Sequence, residues 1–182
     1  MEENQEINNK KDKMQDLILF FFVYGFLGWL LEVVYAIYTE GHLINRGFLY
    51  GPICPIYGFG ALILIYGLEN INKNKFLKFI FATVTFSAFE YVVSLVLEVI
   101  FHQRWWDYSG DILNIQGRIS LFYSIAWGII GLLFTERIHP FVKKRLKKIL
   151  EIESKYKIII IVILLSIICI DEVLSIIKYL QT

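Results

Sequence analysis

Leu17–Tyr38 reads LILFFFVYGFLGWLLEVVYAIY, 22 residues with a single charge at Glu32. A helix crossing a bilayer needs about 20 mostly apolar residues, and this stretch meets that requirement. Four further apolar segments follow: Pro52–Leu68, Phe76–Phe101, Ile119–Phe134 and Ile158–Leu180. The chain has 182 residues, 57% of them hydrophobic and 16% aromatic, with a mean hydropathy of +0.57. A soluble domain of that length has too little interior to hide so much apolar surface. The expected fold is all-α, a polytopic membrane protein with five transmembrane helices. The second and fourth segments are short, about 25 Å each at 1.5 Å per residue, so either could be re-entrant.

Charge decides the expected topology. Lys10, Lys11 and Lys13 precede the first segment; Lys73, Lys75 and Lys78 flank the second and third. Arg137, Lys143, Lys144, Arg145, Lys147, Lys148, Lys155 and Lys157 fill the stretch between the fourth and fifth. The alternate flanks hold only Arg46, Arg104, Arg118 and Lys178. Cytoplasmic loops carry the excess of Lys and Arg. Five crossings with the N-terminus inside and the C-terminus outside put 14 of the 18 basic residues in the cytoplasm. The expected organisation is a cytoplasmic tail (residues 1–16), a four-helix membrane core with two structured outer loops (17–134), a basic amphipathic cytoplasmic segment (135–157) and a fifth helix (158–182). The expected location is the cytoplasmic membrane, multi-pass. The basic segment suits anionic lipid or a cytoplasmic partner. Its charges are already required by topology, so they give no case for nucleic acid. The polar start, the long apolar run after it and the lack of a small-residue cleavage site argue against a signal peptide. Cys54 and Cys169 form no metal or redox motif, and no metal or cofactor is expected.

Ionisable residues inside spans usually face a bundle interior or a wet cavity. Glu32 lies in the first segment, Glu90 and Glu98 in the third, Asp171 and Glu172 in the fifth. Ser87, Glu90, Tyr91, Ser94 and Glu98 recur at three or four residues and form one helix face. Gly25, Gly28, Glu32 and Tyr35 do the same in the first segment. The outer loops are rich in Gly, aromatic and hydrogen-bonding residues. Trp105, Trp106 and Tyr108 suit either an interfacial belt or a folded cap. The candidate binding residues are Glu32, Glu90, Glu98, Arg46, Arg118, Asp107, Trp106, Tyr57 and Asn114. Leu30–Tyr35 is similar to Val96–Phe101, and each precedes a loop with Asn, Gly and Arg close together. Two parallel hairpins would make Glu32 and Glu98 equivalent.

Several motifs occur together: Gly28-Trp29-Leu30-Leu31-Glu32; Arg46-Gly47-Phe48-Leu49-Tyr50-Gly51-Pro52 with Pro55-Ile56-Tyr57-Gly58; Glu90-Tyr91 with Glu98; and Trp106-Asp107-Tyr108-Ser109 with Asn114-Ile115-Gln116-Gly117-Arg118. In this combination the chain resembles the bacterial family described as "Putative ABC-transporter type IV", over about Leu17 to Pro140. The resemblance implies a membrane permease component and carries no residue roles. The chain has no Gly-x-x-x-x-Gly-Lys-Ser/Thr phosphate loop, so a transporter of this kind requires a separate ATPase subunit; a homo-oligomer is a further expected assembly.

Three functions compete at this point. A permease subunit would use its acidic residues to bind a cation or small polar solute. A structural or regulatory membrane protein would use Glu–Arg pairs to fix helix packing. An outer-leaflet enzyme on lipid or cell-envelope precursors would use Glu98, Asp107, His102 and Arg118, although no nucleophile–base pair stands out.

Overall fold

The computed structural model describes residues 2–43, 47–68 and 74–181. All regular elements are helical: α1 (Glu2–Glu40), α2 (Pro55–Leu68), α3 (Lys75–Phe101), α4 (Leu121–Leu133), a π-helical turn (Phe134–Ile138), α5 (His139–Arg145), α6 (Lys147–Leu150) and α7 (Ser154–Leu180). Among the described residues the only β contact is an isolated bridge, Ile115 to Ile119.

Among the described residues, four helical stretches are long and apolar enough to cross a bilayer: Lys10–Glu40, Lys75–Phe101, Leu121–Arg145 and Ser154–Leu180. The expected second span is shorter. α2 has 14 residues, about 21 Å of rise against a hydrocarbon core of about 30 Å. α1 also begins earlier than the sequence suggests. The polar stretch before Leu17 is helical from Glu2, because its Glu, Gln, Lys and Asp residues include no Gly or Pro to stop a helix. The basic segment is not one amphipathic helix either. Its first part continues α4, and a break at Leu146 separates α5 from the four-residue α6.

The chain forms two compact units, one of Met1–Leu62 with Leu146–Thr182 and one of Ile63–Arg145. In the first, α1 packs on α7 and on the start of α2. A Cβ on Gly28 would collide with the Tyr57 ring, and one on Gly58 with Phe21. Small residues let the helix backbones approach. Pro55 opens α2, where its missing N–H leaves nothing unsatisfied. α1 and the start of α7 are joined by buried Lys157, whose Nζ lies 3.0 Å from Asp16 Oδ1, and by Gln15 donating to Ser154 Oγ at 2.7 Å.

In the second unit α3 and α4 run antiparallel in close contact. Gly128 and Gly131 are buried on α4 against Phe79, Ala82 and Thr83 of α3. The π-turn precedes Pro140, which cannot donate to the carbonyl four residues earlier. His139 N–H instead reaches back to Phe134 O, and a π-turn accommodates the lost bond without ending the rod. Lys78 of α3 pairs with Glu136 of this turn at 2.5 Å.

Candidate functional site

The polar face of α3 forms a ladder whose rungs all end within the second unit. Ser87 Oγ bonds Ser124 Oγ of α4 at 2.7 Å. Glu90 accepts the Tyr108 hydroxyl at 2.9 Å and Trp127 Nε1–H at 3.0 Å. Tyr91 donates its hydroxyl to Gln116 Oε1 at 2.8 Å. Ser94 accepts from Arg118 at 3.2 Å. Glu98 takes Arg118 at 2.6 Å and Arg104 at 3.0 Å. The helical spacing of three and four aligns these groups. The lower rungs meet α4, and the rungs above Glu90 meet the loop between α3 and α4.

That loop is a folded element. Asp107 Oδ1 accepts the Ser109 backbone N–H and hydroxyl at 2.9 and 2.5 Å. These bonds, with Arg104 nearby, hold its carboxyl below the usual aspartate range. Tyr108 N–H donates to Gly117 O at 2.7 Å. Trp106 Nε1–H donates to Arg118 O at 3.0 Å. Asn114 donates to the carbonyls of Ser109 and Asp111 and accepts from Gly117 N–H. Gly117 has φ +68°, and a Cβ there would strike Asp107 and Ser109. Only glycine adopts that conformation freely and also leaves room for the Asp107 turn. Ser120, 1% exposed, closes the loop by donating to Asp111 at 3.1 Å. The belt alternative for Trp106 and Tyr108 gives way to the folded one, because the polar ends of both side chains are spent inside the unit.

The two glutamates of α3 differ in electrostatic setting. Glu98 is about a third exposed and faces two guanidinium groups. Glu90 is 6% exposed, and both its partners are neutral aromatic donors. Among the described residues no Lys, Arg or His pairs with it.

In the first unit, Glu32 accepts the Tyr57 hydroxyl at 2.5 Å. The following loop is tied at two points. Cys54 N–H donates to Gly25 O at 3.0 Å. Asp171 of α7 accepts Tyr50 N–H at 2.9 Å and Gly51 N–H at 2.8 Å, and Ser175 donates to the same carboxylate. Phe48 stacks on Tyr179. Arg46 lies outside the described residues.

The structure thus gathers six of the expected site residues, Glu90, Glu98, Trp106, Asp107, Asn114 and Arg118, in one unit. Glu32 and Tyr57 meet in the other. Among the described residues, Glu32 meets Tyr57 and Glu98 meets Arg118 and Arg104. Trp127 was not legible as a site residue. Its signal was an indole N–H in an apolar run, which needs an acceptor once buried. Asp171 as a clamp on the Tyr50–Gly51 backbone was likewise hidden, since only the fold brings residues 50 and 171 together. Among the described residues no three His, Cys, Asp or Glu side chains group to hold a metal ion.

A family model described as "Putative ABC-transporter type IV" matches residues 19–176, and the chain belongs to that family. The match runs on through most of α7, beyond the Pro140 limit of the motif resemblance. No curated protein and no solved structure matches the chain.

Proposed function

From its membership of the ABC-transporter type IV family, we propose that this chain is the membrane-spanning subunit of a transporter and that Glu90 is its cation-binding station. The observation that carries the reading is the isolation of Glu90, a buried carboxyl on an apolar helix with two neutral donors and, among the described residues, no basic partner. An ionised carboxylate in such a setting is costly unless a positive charge joins it. A proton or a cationic solute supplies that charge. The aromatic surroundings suit an organic cation as well, because ring faces attract positive charge.

The other acidic residues are assigned to the scaffold. Glu98 is matched by Arg118 and Arg104, Glu32 by Tyr57, and Asp171 by backbone donors. Such pairs fix packing and orientation. This divides the acidic set between the permease and structural functions.

The proposed topology keeps five crossings with the N-terminus in the cytoplasm, α2 being a short crossing completed by the residues that lead into it. The basic residues of 135–157 then face the cytoplasm, where anionic lipid and a separate ATPase subunit both lie within reach. This sequence carries no phosphate loop, and a separate ATPase subunit is part of the proposal.

The reading is tested by a complementation growth assay of Glu90→Gln and Glu98→Gln beside their thermal stability in detergent. Glu90→Gln is expected to fold normally and fail to complement, and Glu98→Gln to lose stability first. Full complementation by Glu90→Gln would overturn the assignment.

A further inference from the structure

The loop between α3 and α4 reaches far down α3. Tyr108 meets Glu90, eleven residues before the end of α3 at Phe101, or about 16 Å along the helix axis. α4 does not cover that length. The pairing of Ser124 with Ser87, and of Gly131 with Ala82, brings the start of α4 at Leu121 to about the level of Glu90. Above that level the partners of the α3 ladder among the described residues, Gln116, Arg118 and Arg104, all belong to the loop. On the Phe101 side, Glu90 is therefore covered by non-helical chain.

Lys78, paired with Glu136, gives the opposite reference point. Glu90 lies twelve residues from it, about 18 Å along the axis, past the middle of a core about 30 Å thick. Irregular backbone at such depth is tolerated where protein buries it or where it lines a water-filled path. The loop is held near both ends, by Arg104 and Arg118 on Glu98. Its internal bonds, from Asn114, Asp107 and the Tyr108–Gly117 backbone pair, are backbone-anchored and mutually supporting. Its hold on Glu90 is the Tyr108 hydroxyl.

We propose that Arg104–Ser120 is the outer gate of a path to Glu90, and that the Tyr108 hydroxyl is its latch. In the closed form Tyr108 holds the Glu90 carboxyl and stacks on Tyr123 of α4, ring centroids 4.3 Å apart. An arriving cation competes with the Tyr108 hydroxyl for the same carboxyl, so occupancy of the station and release of the latch are coupled. The proposal rests on the assignment of Glu90 as the station.

The test is labelling of the full chain in intact cells by a water-soluble, membrane-impermeant carbodiimide with glycine methyl ester, read by mass spectrometry. Glu98 is partly exposed and serves as the internal standard. In the unmodified protein Glu90 is expected to label far more slowly than Glu98. Tyr108→Phe keeps the ring stack and removes the hydroxyl. It is expected to raise Glu90 labelling about tenfold, the effect of one hydrogen bond to a carboxyl group, with Glu98 unchanged. Glu90 labelling that is equal in both proteins overturns the gate. So does a rise at Glu98 in parallel, since that marks an unfolded loop. Growth of the Glu90→Gln strain tests the station separately, and either assignment can fail while the other stands.

Discussion

The Lys157–Asp16 clamp between α1 and α7 offers a quantitative test, because its two members differ in burial. Lys157 is 3% exposed, while the Asp16 side chain is 31% exposed. Removing one partner of a fully buried pair costs about 3–5 kcal/mol, mostly from the charge left behind. Asp16→Ala strands the buried ammonium. Lys157 lies in the first turn of α7, and its long stem can carry the charge part of the way to the interface. The expected cost is therefore about 2–3 kcal/mol, below the dry limit. Lys157→Met strands a carboxylate that already touches water, and about 1 kcal/mol is expected. The double variant removes both charges and should cost no more than Lys157→Met. With about 2–4 °C of Tm per kcal/mol for a chain of this size, Asp16→Ala should lower Tm by about 4–12 °C and Lys157→Met by about 2–4 °C. The assay is thermal unfolding in a single detergent, with both single variants and the double. Equal losses from the single variants, or a double loss equal to their sum, would refute the reasoning.

Other outcomes follow from the same geometry. Cysteine-accessibility labelling should find a cysteine at Ser109 reactive from outside the cell and one at Lys147 only from inside; labelling of both from one side would contradict the five-crossing topology. Arg118→Met should lower Tm more than Arg104→Met, since Arg118 is buried and also reaches Ser94, whereas Arg104 is half-exposed; the reverse order would remove Arg118 as the loop's anchor. Gly128→Val forces a branched side chain into Thr83 and Phe79, with an expected loss of about 1–3 kcal/mol; a neutral result would mean that α3 and α4 do not pack as described.

The apolar runs made the long helices legible, and helical spacing made the α3 face legible from Ser87 to Glu98. Both signals are local. The partners were not legible, because they are set by long-range folding. Ser87 and Ser94 looked like companions of Glu90, yet their hydroxyls meet Ser124 and Arg118, while Glu90 meets Tyr108 and Trp127. Tyr108 could be read as a residue of the outer membrane surface only while its loop was imagined to project outward. The turn at Asp107 and the left-handed Gly117 fold that loop back along α3. The start of α1 at Glu2 was not legible because the apolar run begins only at Leu17, although most of the residues before it are good helix formers.

The central claim is that the Glu90 carboxyl takes up a cation rather than serving as a fixed hydrogen-bond acceptor. Infrared difference spectroscopy of the purified chain measures this directly, with the Glu90 band identified by its loss in Glu90→Gln. In that variant Trp127 can still donate to the amide oxygen, and the Tyr108 hydroxyl can turn to accept from the amide nitrogen, so the fold is kept. Titration with acid, sodium, ammonium and tetramethylammonium should shift the Glu90 band with at least one of them. A band unmoved by all four would contradict the account and leave Glu90 as part of the scaffold.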